Sequence, residues 1–112
     1  MGWVEEAVRV LHDRGFSVSV SRERYQTLTG SVYSRVVVRG FDPARLVRVS
    51  IVDYGGWVKI MVVARGRHAS LLKERMYGLG YVDVDYDEGE SRLEAIGKVE
   101  YYQVGVVLDE ML

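Results

Sequence analysis

The chain has 112 residues, of which 48% are apolar and 28% are charged, and its formal net charge is −1. This size and composition suit one globular domain, and we expect residues 1–112 to form it. Cysteine is absent, which excludes disulfides, thiolate metal sites and cysteine nucleophiles. The longest apolar run, 101–108, is shorter than the roughly 20 residues of a membrane span, and the acidic start does not resemble a signal peptide. We therefore expect a cytoplasmic protein with no membrane partner.

Residue types that heat damages are rare in this chain. Asparagine is absent and glutamine occurs only at Gln26 and Gln103, whereas charged residues are plentiful. Proteins of hot environments tend to have this composition, so we expect a thermophilic source.

Charge is distributed unevenly along the chain. Residues 1–75 contain 13 basic and seven acidic residues, a net charge of +6, whereas residues 76–112 contain two and nine, a net charge of −7. Either the two halves neutralise one another across the fold, or the asymmetry marks a binding partner.

The first predicted elements are a helix and a strand. An apolar stripe at i, i+3, i+4 and i+7 predicts an amphipathic helix that Gly15 ends. Phe16, Val18 and Val20 then alternate with serines, which predicts a half-buried strand. The polar segment 21–31 is either a mobile basic loop or a short hairpin arm that turns near Gly30. The helical stripe consists of Val4, Ala7, Val8 and Leu11.

A second strand is predicted over Val32–Arg39. Its run Val36-Val37-Val38 is apolar on both faces, which indicates a central strand covered on two sides. The dipeptide Asp42-Pro43 predicts the following turn, because proline presets the backbone angle of its position.

The clearest local signal is a β-hairpin around Gly55-Gly56, between strands over 45–54 and 57–64. Glycine supplies the positive φ that a two-residue turn needs. Pairing Tyr54 with Trp57 gives one face that is almost wholly apolar, and we expect the helices to bury it. That face contains Val47, Val49, Ile51, Val58, Ile60 and Val62.

The remaining elements are a helix, a strand and a long final strand. Ala69, Leu72, Met76 and Leu79 share one helical stripe. Residues 81–86 alternate as a strand, a short helical turn is possible over 91–96, and residues 98–108 are predicted as the last strand. The order α-β-β-β-β-α-β-β predicts an α+β domain: a mainly antiparallel sheet of five to six strands with two helices on one face.

The acidic segment 83–94 is a weak candidate for a cation site. Its carboxylates fall at positions one, three, five and twelve of a calcium loop. The sixth position is Glu88 where that loop requires glycine, so a strand with a solvated acidic face is the favoured interpretation. The candidate ligands are Asp83, Asp85, Asp87 and Glu94.

No catalytic constellation is recognisable in the sequence. His12 and His68 lie on separate helices without convergent partners. The alternating serines at 17–21 lack a nucleophile elbow, and Gly78-Leu79-Gly80 follows a helix, the reverse of a dinucleotide motif. The sequence favours a non-enzymatic protein without a cofactor, and an enzyme that uses the acidic segment with a divalent metal ranks third among the candidate functions.

The other face of the hairpin leads to the favoured functional hypothesis. It is more apolar than a solvated face normally is, and isolated domains rarely leave such a patch exposed. We expect self-association, with a dimer favoured, or binding of a partner protein through this face, unless the chain end at 108–112 covers it. The predicted partner-binding residues are Val37, Arg48, Val52, Tyr54, Trp57, Lys59, Met61 and Val63.

Nucleic-acid binding is the alternative hypothesis. Arginines interleaved with aromatic residues on a sheet suit phosphate contacts and base stacking, and the polar segment 21–31 adds two more arginines. The predicted contacts are Arg22, Arg24, Arg35, Arg39, Arg48 and Lys59.

Overall fold

The computed structural model of the protein describes residues 2–112. Three α-helices, six strands and one 3₁₀ turn follow one another along this part of the chain. None of its helices has the length and apolar character needed to span a membrane. The elements are α1 Trp3–Asp13, β1 Ser17–Gln26, β2 Val32–Asp42, β3 Val47–Asp53, β4 Val58–Arg65, α2 Arg67–Tyr77, β5 Val82–Asp87, β6 Arg92–Val99, the 3₁₀ turn Tyr101–Gln103 and α3 Val104–Met111.

The six strands form one antiparallel sheet in the order β1-β2-β3-β4-β6-β5. The predicted α+β architecture and its element order are confirmed, with three helices where two were expected. All three helices contribute to a single core that covers one side of the sheet. We call that side the helix side.

The core confirms the hairpin register derived from the Gly55-Gly56 turn. Tyr54 N donates to Trp57 O at 2.9 Å, and Gly55 has φ +84°. The pairs Ile51–Ile60 and Val49–Val62 lie on the helix side, and their side chains are at most 1% exposed. Burial of such a face is the main favourable term in folding.

The C-terminal third differs from the sequence prediction. Residues 91–96, expected as a helical turn, lie in and beside strand β6. Of the last strand predicted over 98–108, only residues 98–99 lie in a strand, whereas residues 101–108 belong to the 3₁₀ turn and to helix α3, which continues to Met111. Val104, Val107, Leu108 and Met111 follow the 3.6-residue period and are buried. The chain end therefore packs in the core on the helix side and does not cover the opposite side of the sheet.

Strand β2 is second from the edge, so the prediction of a central strand covered on both sides is only partly right. Val38 is buried on the helix side and Val37 on the other side, where no layer of secondary structure from residues 2–112 lies over it. Gly40 follows on the helix side, where a Cβ atom would come within 3.1 Å of Leu11 Cδ1. An alanine here would require the side chains of Leu11 and Phe16 to shift by a few tenths of an ångström.

The polar segment 21–31 is a hairpin arm, the second of the two predicted possibilities. Strands β1 and β2 pair from Ser17–Phe41 to Gln26–Val32, whereas β2 pairs with β3 only from Val37 onward. The five pairs from Arg22–Val36 to the tip therefore extend beyond the rest of the sheet. The tip is closed by bonds from Gly30 N to Thr27 O at 3.0 Å and from Thr27 N to Ser31 O at 2.9 Å.

Candidate protein-binding surface

The side of the sheet opposite the helices, which we call the outer face, has no covering layer among residues 2–112. Cross-strand register arranges its side chains in rows that run across the strands. One row is Phe41–Arg48–Val63–Glu94–Asp85, the next is Arg39–Ser50–Met61–Ile96–Asp83, a third is Val37–Val52–Lys59–Lys98, and a fourth contains Glu23, Arg35, Tyr54 and Trp57.

Aromatic rings and cations alternate along the arm end of this face. Arg35 lies between two rings, with its guanidinium carbon 4.8 Å from the centroid of Tyr33 and 4.1 Å from that of Tyr54. Tyr54 stacks on Trp57, with the ring centroids 4.7 Å apart and an angle of 7° between the ring planes. The faces of these rings are thus covered by neighbouring side chains of the same chain, which leaves mainly the ring edges open to solvent.

This series of stacked rings and cations, which we call the ladder, continues beyond Tyr33 at one end and beyond Trp57 at the other. Tyr25 stacks on Tyr33 with centroids 5.4 Å apart, and Lys98 Nζ lies 5.2 Å from the Trp57 ring. Arg35 also donates to the Asp53 carbonyl oxygen at 3.0 Å. The ladder crosses strands β1, β2 and β6 as well as the β3–β4 turn, so its geometry depends on the whole sheet.

The apolar side chains of this face are less exposed than the sequence suggested. Val37 is fully buried, so it supports the surface from beneath and is not part of it. Tyr33 is 40% exposed, whereas the other large side chains of the face are half-buried. Arg48 covers part of Phe41, with its guanidinium carbon 4.3 Å from the ring centroid. The half-buried residues are Tyr25, Phe41, Val52, Tyr54, Trp57, Met61, Val63 and Ile96.

Charge is segregated across the outer face. The β5 edge carries Asp83 and Asp85, and the strands beyond it carry Arg48 and Lys59. No ion pair within residues 2–112 involves these four side chains. Glu94, which lies next to Asp85, pairs with Arg92 of its own strand at 2.8 Å.

Few direct ion pairs join the two halves of the chain. Of the seven ion pairs within the described part of the chain, only Arg14–Asp109, at 2.6 Å, joins residues 1–75 to residues 76–112. Arg14, followed by Arg9 and Arg75, lowers the pKa of Asp109, so charges of the two halves do meet at this place.

One charged cluster of the outer face is already satisfied. Glu23 accepts hydrogen bonds from Arg39 and, at 3.0 Å, from Tyr25 Oη. The Arg39 guanidinium, followed by the Tyr25 hydroxyl, lowers the pKa of Glu23, and the same carboxylate raises the pKa of Tyr25. The cluster stays charged and locally balanced at neutral pH.

The residues predicted for nucleic-acid binding do not form one site. Arg35, Arg39, Arg48 and Lys59 lie on the outer face, whereas Arg22 and Arg24 point to the opposite side of the arm. The stacked rings also offer few faces to bases, because their neighbours occupy them. A single platform for a nucleic-acid strand is therefore not assembled.

The acidic segment forms the β5–β6 hairpin and not a calcium loop. Asp83, Asp85 and Glu94 lie on the outer face of this hairpin, and Asp87 accepts a bond from Glu90 N at 3.1 Å in its turn. Within residues 2–112, no three potential ligands converge on a point that could hold a metal ion, and this includes His12 and His68.

The outer-face residues missed from the sequence include Tyr25, Tyr33, Phe41, Ile96 and Lys98. The alternation of side chains along β2 could have identified Tyr33, because residues 33, 35 and 37 must lie on the same face of the strand. Ile96 and Lys98 were missed because strand β6 was misplaced. No family model, no curated protein and no solved structure matches this chain.

Proposed function

We propose that this protein is a binding module that self-associates through the outer face of its sheet. The observation that carries the proposal is a difference in net charge across an uncovered face. Strands β2 and β3, on one side of half-buried Met61 and Val63, are net basic, whereas strands β6 and β5, on the other side, are net acidic although β6 also carries Arg92 and Lys98. Such a face is complementary to itself, and twofold self-association is the commonest assembly of soluble proteins.

The rows of the sheet indicate how two copies would meet. Two sheets stacked face to face are related by a twofold axis that lies between them. If the axis runs along β4, Glu94 of one copy lies over Arg48 of the other, Asp83 lies over Arg39, and Met61 meets its own counterpart. Glu94 and Arg39 would make these contacts in addition to those with their partners within the chain, Arg92 and Glu23. An axis perpendicular to the strands would stack one acidic β5 edge on the other, which costs several kcal/mol for like charges. The axis along β4 is therefore the arrangement we propose.

Sedimentation equilibrium over a range of protein concentrations tests this arrangement through charge reversal. We expect the wild-type protein to dimerise, and we expect Arg48→Glu and Glu94→Arg each to weaken its own homodimer at least tenfold. An equimolar mixture of the two variants should dimerise about as tightly as the wild type, because each reversed charge faces its reversed partner.

The matched control is Glu74→Arg, which makes the same change of charge on the exposed face of helix α2. It should leave the dimer unchanged. A wild-type protein that remains monomeric at millimolar concentration contradicts self-association. Homodimers that tolerate both reversals, in a protein that does dimerise, contradict the arrangement about β4.

A further inference from the structure

The hairpin arm is a second exposed feature that the outer face does not explain. Its residues 22–36 form a two-stranded ribbon whose helix-side face is open to solvent, whereas its outer face is held at the base by Arg35, which contacts the Tyr54 ring and the Asp53 carbonyl oxygen. An isolated ribbon of this kind is marginally stable in water, and this one ends in Leu28, whose side chain is fully exposed. Such an arm gains stability when it contacts another molecule.

The helix-side face of the arm is basic and rich in hydrogen-bonding groups. Arg22 and Arg24 lie two residues apart on one strand, a spacing of about 6.6 Å, and Arg22 Nη1 donates to Ser34 Oγ at 3.4 Å. This face has no carboxylate, because the one acid of the arm, Glu23, lies on the other face, where Arg39 pairs with it. The side chains of the helix-side face are Arg22, Arg24, Gln26, Val32, Ser34 and Val36.

We propose that the arm inserts into the major groove of B-form double-stranded DNA, with this face toward the base edges. The major groove accepts a two-stranded β-ribbon. The side-chain types that recognise base edges in this groove are present on the arm. Arginine bonds to guanine, glutamine to adenine and serine to either, and apolar side chains contact the thymine methyl group. The arm contains three arginines and one glutamate, a net charge of +2, and therefore also favours phosphates.

Other nucleic acids fit this arm less well. The major groove of A-form RNA is too deep and narrow for side chains to read. Binding of a single strand relies on bases stacking on open ring faces, but Tyr25 and Tyr33 stack on one another and Arg35 covers Tyr33. The geometry therefore favours the DNA duplex.

Fluorescence anisotropy with the full-length protein tests the proposal. The probes are a random-sequence DNA duplex of about 20 base pairs, the corresponding RNA duplex and the single DNA strand, each at about 50 and 200 mM salt. We expect the DNA duplex to bind at least tenfold more tightly than the other two and to lose affinity as salt rises. In the double variant Arg22→Ala/Arg24→Ala, binding should weaken at least tenfold and the salt slope should fall by about 2.

The matched control is Arg67→Ala/Arg75→Ala, which removes the same charge from exposed positions of helix α2. It should retain the affinity and the salt slope of the wild type. Equal losses in both double variants, an equal affinity for duplex RNA, or no binding of the duplex at low salt would each overturn the proposal. Circular dichroism should give the same spectrum for all variants, since the substituted side chains are exposed.

This inference is independent of self-association through the outer face. The residues that would contact DNA lie on the helix side of the arm, whereas the dimer contacts lie on the opposite side of the sheet. A protein that dimerises without binding DNA, or that binds DNA as a monomer, therefore separates the two proposals.

Discussion

The two sides of the sheet are built from alternate residues of the same strands, yet they are organised differently. On the helix side, Ile60 and Val62 of β4 are fully buried in a continuous apolar core. On the outer face, Met61 and Val63 are half-buried among rings and charged side chains. The difference indicates that the helix side supplies most of the stability of the fold, whereas the outer face leaves rings and charged side chains partly accessible to solvent.

The largest expected effect comes from adjacent substitutions on β4. Ile60→Ala removes a fully buried side chain and should lower the free energy of unfolding by about 2–5 kcal/mol. Met61→Ala should lower it by less than half as much, because the side chain is only half-buried, but it should weaken the dimer. Urea unfolding measures the first quantity, at a protein concentration where the chain is monomeric, and sedimentation measures the second.

Equal destabilisation by the two substitutions would mean that the outer face contributes to folding as much as the core does. An unchanged dimer in Met61→Ala would remove this residue from the proposed contact.

An intermediate effect is expected at Asp42, the one charged residue that is buried within residues 2–112. Its Oδ1 accepts a bond from Ala44 N at 3.0 Å, and its carboxylate pairs with Arg45. Arg45 is the main cause of the lowered pKa of Asp42. Asp42→Asn weakens these charge-assisted bonds and should cost about 1–3 kcal/mol of unfolding free energy at pH 7.

The pH dependence of this variant follows from the direction of the shift. Because the folded pKa is below the ordinary value of 3.8, the charged carboxylate stabilises the fold above that pH and ceases to do so as pH falls through the folded pKa. Thermal unfolding at pH 7 and in the acid range should therefore show the wild type and Asp42→Asn converging at low pH. A constant difference would contradict the role of the charge.

The smallest effect is expected at Lys59 on the outer face. In the proposed dimer Lys59, like Met61, lies beside the axis and faces its own counterpart, so the two lysine charges oppose association. Lys59 also covers Tyr54, with Nζ 5.7 Å from the ring centroid. Lys59→Ala should tighten the dimer by a few fold, as measured by sedimentation, and the increase should be largest at low salt, where screening is weakest. Weaker association of this variant would place the axis elsewhere.

The sequence predicted the parts of the fold in which turn chemistry and burial agree. Gly55 provides the positive φ of the hairpin turn, and this fixes the register that places Ile51 opposite Ile60. Once that register is known, the alternation of side chains assigns Trp57 and Met61 to the outer face. This part of the candidate surface could therefore be derived without coordinates.

The sequence failed where two local signals compete. The β-branched run near Val106 favours a strand, but Val104, Val107, Leu108 and Met111 also fit a helical period, and burial in the core decides for the helix. Ser91 and Glu94 have the spacing of a helix cap, yet Ser91 has φ +49° in a turn, and Leu93 and Ala95 alternate inward as a strand. In both places tertiary contacts, which a single segment does not contain, determine the outcome.

The position of the arm has a consequence for the proposed dimer. The arm leaves the sheet at the end where the β3–β4 turn lies, and a twofold axis along the strands sends both arms out at this same end. Their arginine-bearing faces point away from one another, because each faces its own helices. Such a dimer would not clamp one duplex between its arms. It would hold two separate DNA segments side by side, so its action on DNA would be to cross-link it.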